Sequence, residues 1–320
     1  MKILGLSFGK KMGNNEVLVK EALMGAEESG VEIQGFVRAL DLDIKPCKDC
    51  LACTFSLFGG ESGECVIKDD FKLLDEQLLE CDGMIVGAPI FIVAPSGYLK
   101  DVADRRGPSH DITWLIESKR IRASKENPKG KAPDERAFKK RYAGFFTTGG
   151  ASTANWLSLG LAGMHLFTFP THTQVVDHLQ IDSISTYFNV VTNKEALKRA
   201  RQLGRNVAQA VLEQADEPKW MGDDAGICPI CHCNLLTVFK KNPVECPVCG
   251  IRGELKSAGD EFQVTFSEEE KERSRLKMGG KLEHWLELQG NFPKAMANHE
   301  VPKIAERLKK YEGYRDLKLK

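Results

Sequence analysis

Apolar positions along the chain fall into alternating runs and stripes. Residues 2–7 (KILGLS) are a short apolar run closed by a small polar residue, which reads as a buried strand. A loop of Gly, Lys and Asn follows. Val17, Leu18, Ala22, Leu23 and Ala26 then recur at helical spacing, with Gly30 placed to stop the helix. Residues 31–37 (VEIQGFV) alternate as a strand does. Residues 69–81 predict a helix with Asp69 or Asp70 near its N-cap. Residues 83–92 are almost unbroken in apolar character, the mark of a parallel strand covered on both faces. Residues 95–106 predict a helix with Pro95 in its first turn. The polar, basic stretch 107–140 reads as an inserted loop with one helical turn around 112–118. Residues 142–150 (YAGFFTTGG) form another buried strand ending in glycines, 151–167 a helix, 173–181 a last strand and 193–214 an amphipathic helix. Strands and helices alternating in this way predict an α/β fold, an open, doubly wound parallel sheet over residues 1–216.

Beyond this, residues 216–226 read as a linker and 217–266 as a small cysteine-bearing ribbon of short alternating pieces. Residues 267–320 read as a charged helical extension. The chain has 45 Lys plus Arg and 45 Asp plus Glu, so net charge gives no reason to expect nucleic acid or an anionic membrane as partner. The first apolar run is too short for a signal-peptide core, and no run reaches the ~18 apolar residues of a membrane span. A cytoplasmic location is the expectation.

Ten cysteines change the picture. In a reducing compartment they do not form a disulfide framework. All but Cys81 fall within 47–65 or 228–249, and Cys81 reads as core packing at a helix end. Cys228 and Cys231, then Cys246 and Cys249, are two Cys-x-x-Cys knuckles flanking fourteen residues. That pattern converges four thiolates on one ion, and a domain this small needs the metal as its core. Zinc is the preferred ion over iron. The second knuckle, CPVCG, is like that of rubredoxin, but the first continues into His232 and Cys233, which are spare ligands. Cys47, Cys50, Cys53 and Cys65 are spaced Cys-x2-Cys-x2-Cys-x11-Cys, which suits a [4Fe–4S] cluster. Free thiols, a reversible disulfide and a zinc site are the other readings.

The loop Gly9-Lys10-Lys11-Met12-Gly13-Asn14-Asn15 lies between the first strand and first helix, where backbone N–H groups and a helix N-terminus can meet a phosphate. It is neither a Walker A sequence nor G-x-G-x-x-G, and alone it reads as an ordinary connection. Two further stretches accompany it. They are Gly87-Ala88-Pro89-Ile90-Phe91 continuing to Ser96-Gly97, Leu99-Lys100 and Asp104-Arg105, and Thr147-Thr148-Gly149-Gly150. In these three loops the chain resembles the flavodoxin-like NAD(P)H-dependent FMN reductases, and within them the iron–sulfur flavoproteins, over residues 1–216. In the first loop Lys11 takes the place of the family's arginine and Asn14 matches, while Gly9 and Asn15 replace a serine and a threonine.

The resemblance implies a flavodoxin-like fold and FMN held by Ser7, Gly9, Lys11, Gly13, Asn14, Asn15, Pro89, Ile90, Phe91, Ile92, Thr148, Gly149 and Gly150. It places the Cys47–Cys65 cluster beside the flavin. It also implies an FMN-dependent oxidoreductase that takes electrons from NAD(P)H or a ferredoxin-type carrier and passes them to a small acceptor, in a homo-oligomer. An electron carrier or redox-sensing binding protein without its own substrate is the alternative. His110 reads as a surface-loop residue, and His165, His172 and His178 lack the spacing of a helical zinc pair.

Overall fold

A computed structural model describes residues 1–317. The first apolar run forms β1 (Lys2–Ser7), and Gly13 opens α1 (Asn14–Glu28). There follow β2 (Glu32–Arg38), α2 (Ala52–Phe58), α3 (Phe71–Glu80), β3 (Gly83–Phe91), β4 (Ala94–Pro95), α4 (Gly97–His110), α5 (Ile112–Ala123) and β5 (Arg141–Thr148). Then come α6 (Gly160–Thr168), β6 (Thr173–Ile181), α7 (Lys194–Glu213), β7 (Val244–Glu245), β8 (Arg252–Ala258) and β9 (Glu261–Phe266). Three helices follow, α8 (Glu268–Glu272), α9 (Met278–Met296) and α10 (Ile304–Leu308). No described helix is long and apolar enough to cross a membrane.

The main sheet runs β2-β1-β3-β5-β6, all parallel, with β4 folded back antiparallel on β3. This is the flavodoxin-like order, whose switch point lies between β1 and β3. Register brings the strand ends level: Ser7 pairs with Gly87, and Pro89 with Thr148. The loops after β1, β3 and β5 therefore open on one edge. Each face of the sheet has its own core. One gathers Leu18, Val19, Phe146, Leu203 and Val207 beneath α1 and α7, and the other Leu6, Phe71, Leu99, Phe145 and Phe167 beneath α3, α4 and α6. Each such fully buried side chain contributes about 1.5–3 kcal/mol. α1 and α7 cross in close contact, since a Cβ on Gly204 would lie 1.7 Å from the Ala22 carbonyl oxygen.

Cys81 is buried in the second core, as expected of a packing residue, and burial pushes its thiol pKa up. Beside it the buried Arg141 guanidinium donates to the carbonyls of Leu79, Cys81, Arg136 and Lys139. A cation thus caps the C-terminal end of α3.

Three local expectations are corrected. Residues 107–123 are not a loop. Gly107 and Pro108 lie inside α4, and α5 begins at an N-cap where Asp111 accepts from the Thr113 and Trp114 amides. Pro95 sits in β4 rather than in the first turn of α4. α2 forms within the cysteine segment, where no helix was expected.

The ribbon strands β7, β8 and β9 pair antiparallel, and the ribbon lies in the same compact unit as the main sheet, Met1–Lys281. A second unit, Leu282–Lys320, holds most of α9 and α10.

Candidate functional site: a loop edge and two cysteine groups

At the end of β1, Ser7 Oγ accepts from the Gly9 amide at 3.1 Å and curls the chain into the loop. Gly13 donates back to the Lys10 carbonyl at 3.0 Å and caps α1. Lys11 is exposed. Asn15 Nδ2 donates to Thr148 Oγ1 at 2.9 Å, so a residue of the first loop braces the end of β5. Its Oδ1 is buried and has no partner. Asn14 faces elsewhere, donating to the Ser185 carbonyl and accepting from the Val190 amide, both at 3.0 Å. It fastens the loop after β6, a fourth loop on this edge.

Sequence reasoning missed Glu16. Its carboxylate is 1% exposed and accepts from the Met12 amide at 2.9 Å, Arg38 Nε at 2.9 Å and Lys20 Nζ at 2.6 Å. Burial raises its pKa, but the hydrogen bonds from Arg38, Lys20 and the Met12 amide outweigh this and bring the carboxyl down to about 2. The signal in the sequence was a Glu at the third helical position, which reaches back to an orphan N–H.

The second loop is a tight hairpin. Phe91 pairs with Ala94, and the two residues between, Ile92 and Val93, have φ of 50° and 73°. Positive φ at both central positions defines a type I′ turn, which ordinarily takes Asn and Gly. Two β-branched residues there cost about 1–2 kcal/mol each, and such strain concentrates at functional sites. The turn presents Phe91 and Ile92 at 63% and 93% exposure. Ser96 donates its amide to the Pro89 carbonyl at 2.9 Å, while its buried Oγ has no partner. Pro89 and Ile90 are half-buried beneath the turn. In the third loop the Gly149 amide donates to the Ile181 carbonyl at 3.0 Å, and Gly150 is exposed.

The chemistry of this edge fits FMN. The loop that curls into the N-terminus of α1 suits a phosphate. Two buried oxygens without partners, on Asn15 and Ser96, offer hydrogen-bonding capacity that the protein itself leaves unused. Exposed Phe91 and Ile92 offer apolar cover for a flat ring.

The cysteine segment is fixed at its two feet. Asp69 and Arg105, each with a fully buried side chain, form a two-bond ion pair at 2.5 and 3.1 Å. Asp69 also accepts from the amides of Lys45 and Phe71, and Arg105 donates to the Lys45 carbonyl. This ties the cysteine segment to α4, the helix that leaves the β3–β4 hairpin. Cys47 and Cys50 are exposed, and Cys53 and Cys65 are half-buried. The Cys53 thiol is raised first by burial, is partly offset by hydrogen bonding at Thr54, and feels both Cys65 and Cys47. Among the described residues, no three of these sulfurs come within 4.8 Å of one another. A lone zinc does not fit that spread, because Zn–S bonds of about 2.3 Å in a tetrahedron bring sulfurs to about 3.8 Å. A four-iron cluster holds its cysteines further apart than one ion does.

The ribbon's thiols do converge. Cys228, Cys231, Cys246 and Cys249 are buried with their sulfurs all within 4.8 Å, and the Cys228–Cys249 and Cys231–Cys246 pairs are each 3.6 Å apart. That is the tetrahedral spacing of a single ion in a closed four-thiolate site. The knuckles are built alike. His232 donates its amide to the Cys228 carbonyl at 2.9 Å and Gly250 to the Cys246 carbonyl at 2.8 Å, with φ of 57° and 74°. His232 does in the first knuckle what glycine does in the second. Cys233 donates to the Cys231 carbonyl and stands outside the four.

Between ribbon and sheet lies a row of rings, edge-on to one another except for the stacked pair Trp220 and His232. Phe145, His165, His178, Trp220 and His232 succeed one another at centroid separations of 5.3, 6.4, 4.7 and 3.9 Å. Burial lowers His165 to about 4 and His178 to about 3, so both imidazoles are neutral. His110, expected on a surface loop, instead ends α4, with Nε2 at 2.9 Å from Asp75 and Nδ1 at 2.7 Å from Ser109 Oγ. Only the sheet topology brings these groups together.

The family model for NADPH-dependent FMN reductases matches residues 1–178. The chain is 30% identical over 315 residues to the flavone synthase cfoJ of Aspergillus candidus, spanning 97% of this chain and 95% of that protein. It superposes on a solved flavone reductase with a TM-score of 0.82 and 28% identity, over 100% of both chains. An iron–sulfur flavoprotein of Methanocaldococcus jannaschii is 35% identical over 109 residues, 34% of this chain and 53% of that one. The chain belongs to the NADPH-dependent FMN reductase family, as a flavin-dependent oxidoreductase of flavodoxin-like fold that also carries a buried four-cysteine site.

Proposed function

We propose that the chain catalyses a two-electron reduction of a small, planar, conjugated acceptor of the flavone class, with NAD(P)H as donor. The observation that carries this reading is likeness over the whole length, ribbon included, to a flavone synthase and a flavone reductase. In balance, a hydride and a proton add across the carbon–carbon double bond conjugated to the carbonyl, and NAD(P)H becomes NAD(P)⁺. Bound FMN supplies the hydride-carrying ring between donor and acceptor.

The chain's own residues hold and screen. The backbone of residues 8–13 and the N-terminus of α1 would receive the phosphate. The Asn15–Thr148 hydrogen bond keeps the first and third loops at a fixed separation. Phe91 and Ile92 would cover the ring and exclude water from the site of hydride delivery. Their exposure also supports a homo-oligomer, which light scattering checks.

A [4Fe–4S] cluster on Cys47, Cys50, Cys53 and Cys65 is part of the proposal and would supply single-electron exchange with a ferredoxin-type carrier. Its support is the spacing of the four cysteines and the likeness to iron–sulfur flavoproteins. Iron and acid-labile sulfide in anaerobically purified protein decide it.

For the main reading, NADH or NADPH is supplied anaerobically with flavone, and the product is weighed by mass spectrometry. A gain of two hydrogens with oxidation of the nicotinamide is expected. Protein that exchanges single electrons with a dye yet leaves flavone unchanged with both nicotinamides is an electron carrier instead.

A further inference from the structure

A cavity of about 420 Å³ lies where the ribbon meets the sheet. Its size falls within the range of small-molecule sites. One wall belongs to the flavodoxin-like part, with Leu161 on α6, Leu179 on β6 and Ser158 before α6. The other belongs to the first knuckle of the ribbon, with Asn234 and Leu235. Neither part encloses the cavity alone.

The cavity is linked to the loops after β3 and β5 through the turn that precedes Leu161 and through Gln180. The Leu159 amide donates to the Val93 carbonyl of the strained hairpin at 3.3 Å. A Cβ on Gly160 would sit 2.6 Å from Ile90 Cδ1 and 2.4 Å from Gln180 Oε1, so this turn lies directly on the flavin loop. Gln180 lines the cavity and also accepts from Thr147 Oγ1, at the end of β5, at 3.3 Å.

Its chemistry is selective. Among the described residues no Lys or Arg lines it, whereas Asp223 and Asp224 do. Arg199 holds Asp223 at 2.6 Å while gripping Asp177 on β6. A pyrophosphate would meet carboxylates and no cation, so a nicotinamide dinucleotide does not belong here. An apolar ring system does, against Leu161, Leu179 and Leu235. His178, 8% exposed, lines the cavity with a buried Nδ1 that has no partner. That nitrogen suits a hydroxyl or carbonyl oxygen on the ring's edge.

We propose that this cavity is the acceptor site, that its occupant is a neutral, hydroxylated, planar aromatic carbonyl compound, and that the metal ribbon serves as its outer wall. The proposal rests on the flavone-class reading above and adds where the acceptor sits and what recognises it. NAD(P)H approaches from outside this cavity.

The test uses FMN-loaded, metal-replete full-length protein. Ser158→Trp fills the mouth from an exposed position, and Leu235→Trp fills it from the ribbon side. Calorimetric titration with a monohydroxyflavone gives Kd, and steady-state assays with the same compound and NADPH give the two KM values. Both variants are expected to weaken Kd and raise KM for the hydroxyflavone by about tenfold or more, with KM for NADPH within about twofold of wild type. Wild-type turnover with both variants keeping Kd and KM within about twofold overturns the cavity assignment and leaves the function standing. Absence of wild-type turnover overturns the function. The titration then still decides the cavity: binding lost in both variants supports it, and no wild-type binding overturns it.

Discussion

Glu16 and Arg105 are single residues on which neighbouring loops depend. The Glu16 carboxyl has an ordinary value of 4.5 and is held at about 2 in the fold. A lowered carboxylate stabilises the fold fully above its unfolded value and loses that contribution as pH falls through its folded value. Its share, on the order of 2 kcal/mol once the half-exposed Lys20 partner is allowed for, should fade between pH 4.5 and about 2. Denaturant titrations of wild type against Glu16→Gln should show the difference shrinking across that window. Removing Arg105 leaves Asp69 buried and unpaired, so Arg105→Ala should cost about 3–5 kcal/mol in urea unfolding. At this scale the sequence was informative where a residue type has one job. Cys228, Cys231, Cys246 and Cys249 were legible because only convergent thiolates explain two knuckles. Asn14 was legible as a loop residue but not as the clasp on residues 185–190, since its partners lie more than 170 positions away.

Among the elements, β1, β3 and β5 were plain from their apolar runs, because a parallel strand covered on both faces has little freedom to be anything else. The second half of α4 and α5 were not. Gly107 and Pro108 signal a break locally, yet Arg105, Arg106 and Ser109 are buried and packing continues the helix across them. The β3–β4 hairpin was hidden for the opposite reason, since Ile92 and Val93 are residues a type I′ turn avoids. Replacing them with Asn and Gly, as Ile92→Asn/Val93→Gly, should raise stability by about 2–4 kcal/mol. The same change removes an exposed apolar side chain from the proposed flavin edge, so FMN affinity should fall while the melting temperature rises. Equilibrium dialysis beside a thermal melt reads both. Where α1 and α7 cross, Gly204→Ala would push a methyl into the Ala22 carbonyl and should cost at least 1–3 kcal/mol by the same melt.

Across the molecule, the two-part architecture of sheet and ribbon was legible from periodicity and cysteine spacing. The way the parts meet was not, because the junction is built from His165, His178 and Trp220, which carry no spacing signal of their own. Metal binding in the ribbon should be equivalent to folding of the ribbon. Cys246→Ser, or a strong chelator, should release the ion and expose the amides of β7, β8 and β9 to hydrogen exchange, while β1 and β3 stay protected. Elemental analysis then names the ion.

The stacking of Trp220 on His232, 3.9 Å apart with planes 13° from parallel, puts an indole against the first knuckle of the four-cysteine site. That indole is a built-in optical gauge. Its emission should shift to longer wavelength as the ring is released to water, reporting the ribbon's state in real time without an added dye.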